Sequence, residues 1–149
     1  MQFSQKCEYA VRAIFELAKC YGKGPVKTSE IAEAQAIPSR FLEVILSELK
    51  QGGFVTSKRG SAGGYLLSGP PRALSVGEVV RFVEGPVGPV PCLEGSSEGN
   101  CSLYANCVFL PLWKKVQRAI SDIYDSTTFE DLVEQEKRML GKYVASYSI

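Results

Sequence analysis

Apolar residues Ala10, Val11, Ile14, Phe15 and Ala18 recur at helical spacing, which predicts a first helix from about Gln5 to Cys20 with Ser4 as its N-cap. The stretch Tyr21-Gly22-Lys23-Gly24-Pro25 ends it. A short second helix follows, with Thr28 or Ser29 at its cap, Glu30 in its first turn, and Ile31 and Ala32 facing in. Ile37-Pro38 makes a break, because proline pushes its predecessor out of the helical region. Ser39 is expected to cap a third helix whose stripe, Leu42, Ile45, Leu46 and Leu49, follows the i, i+3, i+4, i+7 pattern. Gly52-Gly53 stops it. Two short helices around a tight break, behind a longer one, describe a helix-turn-helix.

Two β-prone runs come next, Phe54 to Arg59 and Tyr65 to Ser68, around the connection Gly60-Ser61-Ala62-Gly63-Gly64. They predict a hairpin, and a hairpin directly after a helix-turn-helix is a wing. Ser75-Val76-Gly77-Glu78 is a capping box that opens a fourth helix through Val79, Val80, Phe82 and Val83. Residues 85–107 read as irregular, with three Pro, four Gly and three of the five cysteines, and a loop of that length is functional or disordered. From about Leu110 a long helix begins, with Pro111 in its first turn. Its seam of Trp113, Val116, Ile120 and Ile123 has near-heptad spacing, and too little chain remains to cover it, so a second copy is expected there. Thr127-Thr128-Phe129-Glu130 caps a last helix, and the end from Lys142 is expected to fray. The fold class is therefore mainly α with a small β-hairpin wing. Residues 1–84 form a winged helix-turn-helix, 85–108 a cysteine-rich sensor loop, and 109–149 a dimerisation helix with a C-terminal helix and tail.

Composition narrows the function. The 149 residues contain no histidine, which removes Ser-His-Asp and Cys-His catalysis and every His-ligated metal site. A phosphate loop and a dinucleotide fingerprint are also absent, so the chain is not expected to be an enzyme. The net charge of +1 conceals an asymmetry. Residues 1–72 hold 10 Lys/Arg against 6 Asp/Glu, and residues 73–149 hold 7 against 10. A basic front half suits contact with phosphates. There is neither a membrane-length apolar run nor a signal-like N-terminus, so the expected compartment is the cytoplasm, where thiols stay reduced.

Several segments together carry a family resemblance: CEYAVRAIFELA, EIAEAQAIPSRFLEVILSELKQGGFVTSKRGSAGGYLLS, LSVGEVVRFVEGPV and CVFLPLW. An RGxxGGYxL stretch after a helix-turn-helix, then three spaced cysteines and a Leu-Trp helix, is a specific combination. Over about residues 1–135 the chain resembles the Rrf-two family of bacterial winged-helix transcriptional regulators, in particular its iron–sulfur-sensing members. The resemblance implies a homodimer joined through the long helix and bound to an inverted-repeat operator in double-stranded DNA.

In this motif the third helix enters the major groove with its first turns against base edges. The face opposite its apolar stripe carries Ser39, Arg40, Glu43, Val44 and Ser47. Arg40 can donate a bidentate pair to guanine and Glu43 can accept from cytosine. Such residues on most helices are simply a solvated face, and the winged-helix context favours the DNA reading. Lys58 and Arg59 stand at the wing's entry, and the resemblance implies that Arg59 reaches the minor groove or a phosphate. Gly60, Gly63 and Gly64 read as backbone permissions. Tyr65 is expected to pack under the wing.

Cys92, Cys101 and Cys107 are spaced C-x8-C-x5-C, without the CxxC pairs that zinc sites prefer. Iron–sulfur clusters tolerate wide spacings, while a transient redox pair stays open. The resemblance implies that these three thiols ligate a cluster, either 2Fe-2S or 4Fe-4S. Leu110 stands where some cluster-bearing members have a ligating histidine, so the fourth ligand must come from elsewhere. Glu94, Glu98, Cys7, backbone groups and water are open. Glu8 occupies the position where sensor members carry an acidic ligand donated across the dimer, and it is preferred here. Otherwise it is a solvated residue favoured by the helix dipole. Cys20 reads as a small core residue. The expected function is a regulator, a repressor, whose operator affinity depends on the cluster. One alternative is a cluster-free regulator answering to thiol oxidation or a partner protein. Another is a winged helix used only for protein contacts.

Overall fold

The computed structural model describes residues 2–94 and 99–147, with side chains described up to residue 142. The order is α1 (Gln5–Lys19), α2 (Thr28–Gln35), α3 (Ser39–Gln51), β1 (Val55–Lys58), β2 (Gly64–Leu67), α4 (Val76–Glu84), α5 (Leu110–Ser126) and α6 (Phe129–Tyr147). The two strands pair antiparallel, Val55 opposite Leu67 and Lys58 opposite Gly64. This is the mainly helical fold with one hairpin that the periodicity predicts.

The helix starts follow local chemistry. Ser4 caps α1 by accepting from the Cys7 amide at 3.1 Å. Ser75 and Glu78 form the expected capping box, with the Ser75 amide donating to Glu78 at 2.8 Å. Thr128 and Asp131 make a second one, through bonds of 2.9 and 3.1 Å. Two expected caps are displaced by one residue. Lys27, not Thr28 or Ser29, is the N-cap of α2, with the Glu30 carboxylate accepting its amide at 2.8 Å. Pro38, not Ser39, is the N-cap of α3, and the Ser39 hydroxyl makes no cap bond. The reason lies in the break itself. Ala36 takes the left-handed conformation at φ 51°, and Pro38, fixed near φ −60°, already turns its carbonyl to the Phe41 and Leu42 amides.

A single core gathers round α1, which packs against α2, α3, α4 and α6. Ile14, Leu17, Ile31, Leu42, Leu46, Leu49 and Val79 are fully buried in it. Phe129, at the start of α6, is buried there too, although the sequence pattern marks it only as part of a cap. The backbone fixes it in place: its amide donates to the Leu74 carbonyl at 3.0 Å, and the Val76 amide to Thr127 at 2.9 Å. The last helix thus returns to the first, and Lys19 bridges to Glu136 at 3.2 Å. It also continues to Tyr147, past the point where fraying is expected, because the helix-forming run extends well beyond its packed first half.

Phe129→Ala should cost about 3–5 kcal/mol by opening a cavity under α1. Ser75→Ala should cost only about 1 kcal/mol, the usual value of one cap. Urea midpoints followed by circular dichroism at fixed protein concentration check both, and equal losses would contradict this packing.

Candidate functional site

The outward face of α3 presents every residue expected there. Ser39, Arg40, Glu43, Val44 and Ser47 are all exposed, while Leu42, Ile45, Leu46 and Leu49 are buried beneath them. One neighbour was not expected: Phe41 is 59% exposed, beside Val44 at 57%. The only sequence signal for it is its place three residues before Val44, outside the buried stripe.

The wing is fixed to this helix at its root. Lys50, at the end of α3, donates to the Ser57 hydroxyl at 2.7 Å. Val26 and Tyr65 exchange backbone bonds of 2.9 and 2.8 Å, stitching β2 to the chain before α2. Gly64, at φ +150°, lies so close to the Val26 carbonyl that a side chain there would collide with backbone. Tyr65 is half-buried against the core, under the wing as expected. Lys58 and Arg59 stand exposed at the tip.

The cysteine loop leaves α4 at Gly85. Within it, Cys92 lies on a single 3-10 turn and is half-buried, Cys101 is exposed, and Cys107 is half-buried just before α5. All five cysteines are free thiols. Among the described residues, no group of three or more Cys, Asp or Glu is gathered closely enough to hold a metal ion. Glu98 lies outside the described residues. Glu8 is exposed in the first turn of α1. The chemistry of the loop's donors, three free thiols at or near the surface, suits iron–sulfur ligation.

Cys7 is different in kind. It is 1% exposed, and its thiol is pushed up to about 11, first by burial, then by the charges of Glu84 and Glu8 and a hydrogen bond with Glu84. Burial, then Glu16, also raises Cys20. Both are disfavoured as thiolates. Glu84 is a joint that sequence reasoning passed over: its carboxylate accepts from the Ser4 amide at 2.9 Å and also from the Ser4 hydroxyl. Glu84 is the last residue of α4, so it ties the root of the cysteine loop to the start of α1.

Helix α5 follows the loop and buries none of its residues. Trp113, Val116 and Ile120 are half-buried, Ile123 is 64% exposed, and Val108, Phe109 and Leu112 are exposed beside its start. It is held to the chain by Arg81, whose guanidinium donates to both Asp125 oxygens at 2.5 and 2.9 Å. That pairing raises Arg81 and lowers Asp125 in pKa. A Gln117 amide also donates to the Leu93 carbonyl at 3.3 Å, across to the loop. None of the described helices is long and apolar enough to cross a membrane.

A helix-turn-helix with an anchored hairpin, an exposed polar face on its second short helix and a cationic wing tip is the architecture of a winged-helix transcriptional regulator. The chain belongs to the Rrf2 family, described as iron-dependent transcriptional regulators, whose model matches residues 3–135. It is 35% identical over 144 residues to the transcriptional regulator CymR of Bacillus subtilis, covering 93% of this chain and 98% of that one. The solved structure of that global cysteine regulator superposes with a TM-score of 0.74 at 33% identity, covering 91% and 98%. IscR of T. potens gives 0.70 at 34% identity, covering 91% and 88%. The oxidized form of Staphylococcus aureus CymR gives 0.69 at 29% identity, covering 90% and 97%.

At pH 8 a thiol with a pKa of about 11 is thiolate in only about one molecule in a thousand. Limited iodoacetamide treatment of the iron-free protein should therefore label Cys101 first and Cys7 last, read by peptide mass spectrometry. Because folding raises the Cys7 pKa, its contribution to stability is complete below about pH 9 and is lost as pH climbs towards 11. Labelling of Cys7 as fast as Cys101 would contradict its placement.

Proposed function

We propose that this chain is a cytoplasmic homodimeric repressor that binds an inverted-repeat operator and senses its signal through an iron–sulfur cluster in the cysteine loop. The observation that carries the DNA reading is the outward face of α3, which exposes Ser39, Arg40, Glu43, Val44 and Ser47 across its first three turns in a member of a family of transcriptional regulators. Residues 1–84 would read DNA, 85–108 would sense, and 109–149 would join the two copies through α5.

Each residue has a distinct part. Arg40 donates to guanine, Glu43 accepts from cytosine, and Ser39, Val44 and Ser47 complete the surface against the groove. Lys58 and Arg59 reach the backbone or minor groove from the wing, adding affinity rather than discrimination. Cys92, Cys101 and Cys107 donate thiolates to the cluster, and Glu8 a carboxylate across the dimer. Such a group supplies sensitivity to iron, oxygen, nitric oxide or redox poise. A hard oxygen ligand among soft thiolates makes Glu8 the labile corner. Glu84, clasping Ser4, carries a change at the loop's root to α1 and so to the reading head.

A second reading has its own support. Staphylococcus aureus CymR, whose structure covers 90% of this chain, is known in an oxidized form, and among the described residues the loop thiols are not gathered with other donors into a metal site. In that reading the same cysteines respond to oxidation without iron.

On the DNA side, Arg59→Ala should weaken duplex binding about tenfold and flatten its salt dependence. Glu43→Ala should chiefly relax sequence preference, while Ile120→Asp with Ile123→Asp should give monomers that no longer bind. Gel retardation over a salt series and sedimentation velocity check these together. An unchanged dimer in the double variant would place the interface elsewhere.

On the sensing side, protein purified without oxygen should be brown. Ser at Cys92, Cys101 or Cys107 should remove the colour, and Ser at Cys20 should leave it. Glu8→Ala should shift the spectrum or potential while the dimer persists. Iron-free, colourless protein from anaerobic preparation would decide for the thiol reading.

A further inference from the structure

The reading face of α3 is not wholly polar. Val44, 57% exposed, stands opposite the buried stripe, one turn from both Arg40 and Ser47, and Phe41, 59% exposed, flanks it. Together they wall an apolar cleft of about 240 Å³ between α3 and α1, backed by Tyr9 and Ile45 and rimmed by Lys6 and Glu48. The rim is closed by an ion pair, Lys6 Nζ to Glu48 at 2.5 Å, so the nearest charges are turned to one another rather than into the cleft.

We infer that Val44, seconded by Phe41, receives the C5-methyl group of a pyrimidine in the major groove, a thymine of the operator. This deepens the DNA-binding reading above and rests on it. Among base edges facing the major groove, the thymine methyl is the apolar feature, and a valine cannot satisfy the donors and acceptors around it. Being β-branched, Val44 holds its two methyls in one orientation, so it offers a fixed surface rather than an adaptable one. The register follows from geometry. Arg40 and Val44 are four residues, about 6 Å, apart along the helix. Base pairs step by about 3.4 Å. The methyl should therefore lie one or two base pairs from the base that Arg40 contacts.

The test isolates a single carbon. The full-chain dimer is used to select duplexes from a random pool, and each thymine of the selected half-site is then replaced in turn by deoxyuridine. This removes the methyl and leaves every hydrogen-bonding group. Anisotropy titrations at fixed salt should show about fourfold weaker binding at one position per half-site, the worth of one buried methyl. Val44→Ser should bind the thymine and uracil duplexes alike, with its folding checked by thermal melting. At the same position, 5-methylcytosine exceeding cytosine would show that either methylated base serves, and no difference would show that thymine alone does. Both outcomes keep the methyl contact. Wild type indifferent to every uracil substitution, or a uracil penalty that survives in Val44→Ser, overturns it. So does a Val44→Ser chain that sediments as a monomer, since the patch is then a subunit contact. Failure to select any sequence overturns the DNA reading itself, which is a different result from selection without methyl dependence.

Discussion

The burial of one face of α1 is the constraint on which the rest of the molecule depends. Ala10, Ala13, Ile14 and Leu17 are completely or almost completely buried, and four other helices rest on that one. Two alanines in the stripe let neighbours approach closely, while Ile14 and Leu17 supply most of the apolar area. The orientation of α3, the origin of the cysteine loop and the return of α6 are all measured from this helix. Its polar edge repeats the pattern. Lys6 meets Glu48 of α3, Ser4 meets Glu84 of α4, and Lys19 meets Glu136 of α6. Exposed pairs of this kind are each worth little in stability. Their value is positional, since each pins a different element to a stated turn of α1.

Most of the fold was legible because local and global signals agreed. The stripe Leu42, Ile45, Leu46 and Leu49 is both a helical period and a buried face, and Ser75 with Glu78 is both a motif and a pair of hydrogen bonds. Misplacement occurred where a local rule was overtaken by geometry. Ser39 has the chemistry of a cap, yet the left-handed Ala36 and the fixed φ of Pro38 end the turn one residue earlier. Phe129 has apolar partners at helical spacing, Leu132 and Val133, but as the first residue of its helix it reads as part of a cap. Its burial is decided by the backbone bridge between residues 75 and 128, a contact across more than fifty residues that no window reveals.

The candidate site divides along the same line. Which α3 residues face outward follows from period alone, and the structure presents them as expected, with Phe41 added. Cysteine spacing is another matter. A C-x8-C-x5-C run names three soft donors but contains no information on where a glycine-rich loop sets them. Among the described residues, Cys92, Cys101 and Cys107 are not brought together with a further donor within one chain. Glu84 was illegible for a related reason: an acidic residue at a helix C-terminus is unfavourable by the helix dipole. Its hydrogen bonds to Ser4 offset that cost and account for its presence there.

The placement of α5 then limits how a signal can travel. A helix of seventeen residues that buries none of them, and exposes Ile123 and Leu112, is incomplete in a single chain. Besides the Gln117–Leu93 bond to the loop, it is held by the Arg81–Asp125 pair and by close contact at Gly77, where any side chain would meet the Asp125 carboxylate. The last two lie on α4, the helix that ends in Glu84 and opens the cysteine loop. On the proposed reading, α4 touches the dimer helix, the sensor loop and α1 together. Besides the Gln117–Leu93 contact and the chain's own continuation into α5, a displacement of the loop can reach the reading heads by moving α4 against α1 or α5. The first route acts through Glu84 and Ser4, within one subunit. The second acts through Arg81 and Asp125, and alters the spacing between subunits. Operator half-sites are fixed on the duplex, so a change of spacing penalises both heads at once, whereas a tilt of one head leaves the other free to bind. The stiffer, bidentate Arg81–Asp125 joint is accordingly the route by which a small movement at the loop has the larger effect on DNA.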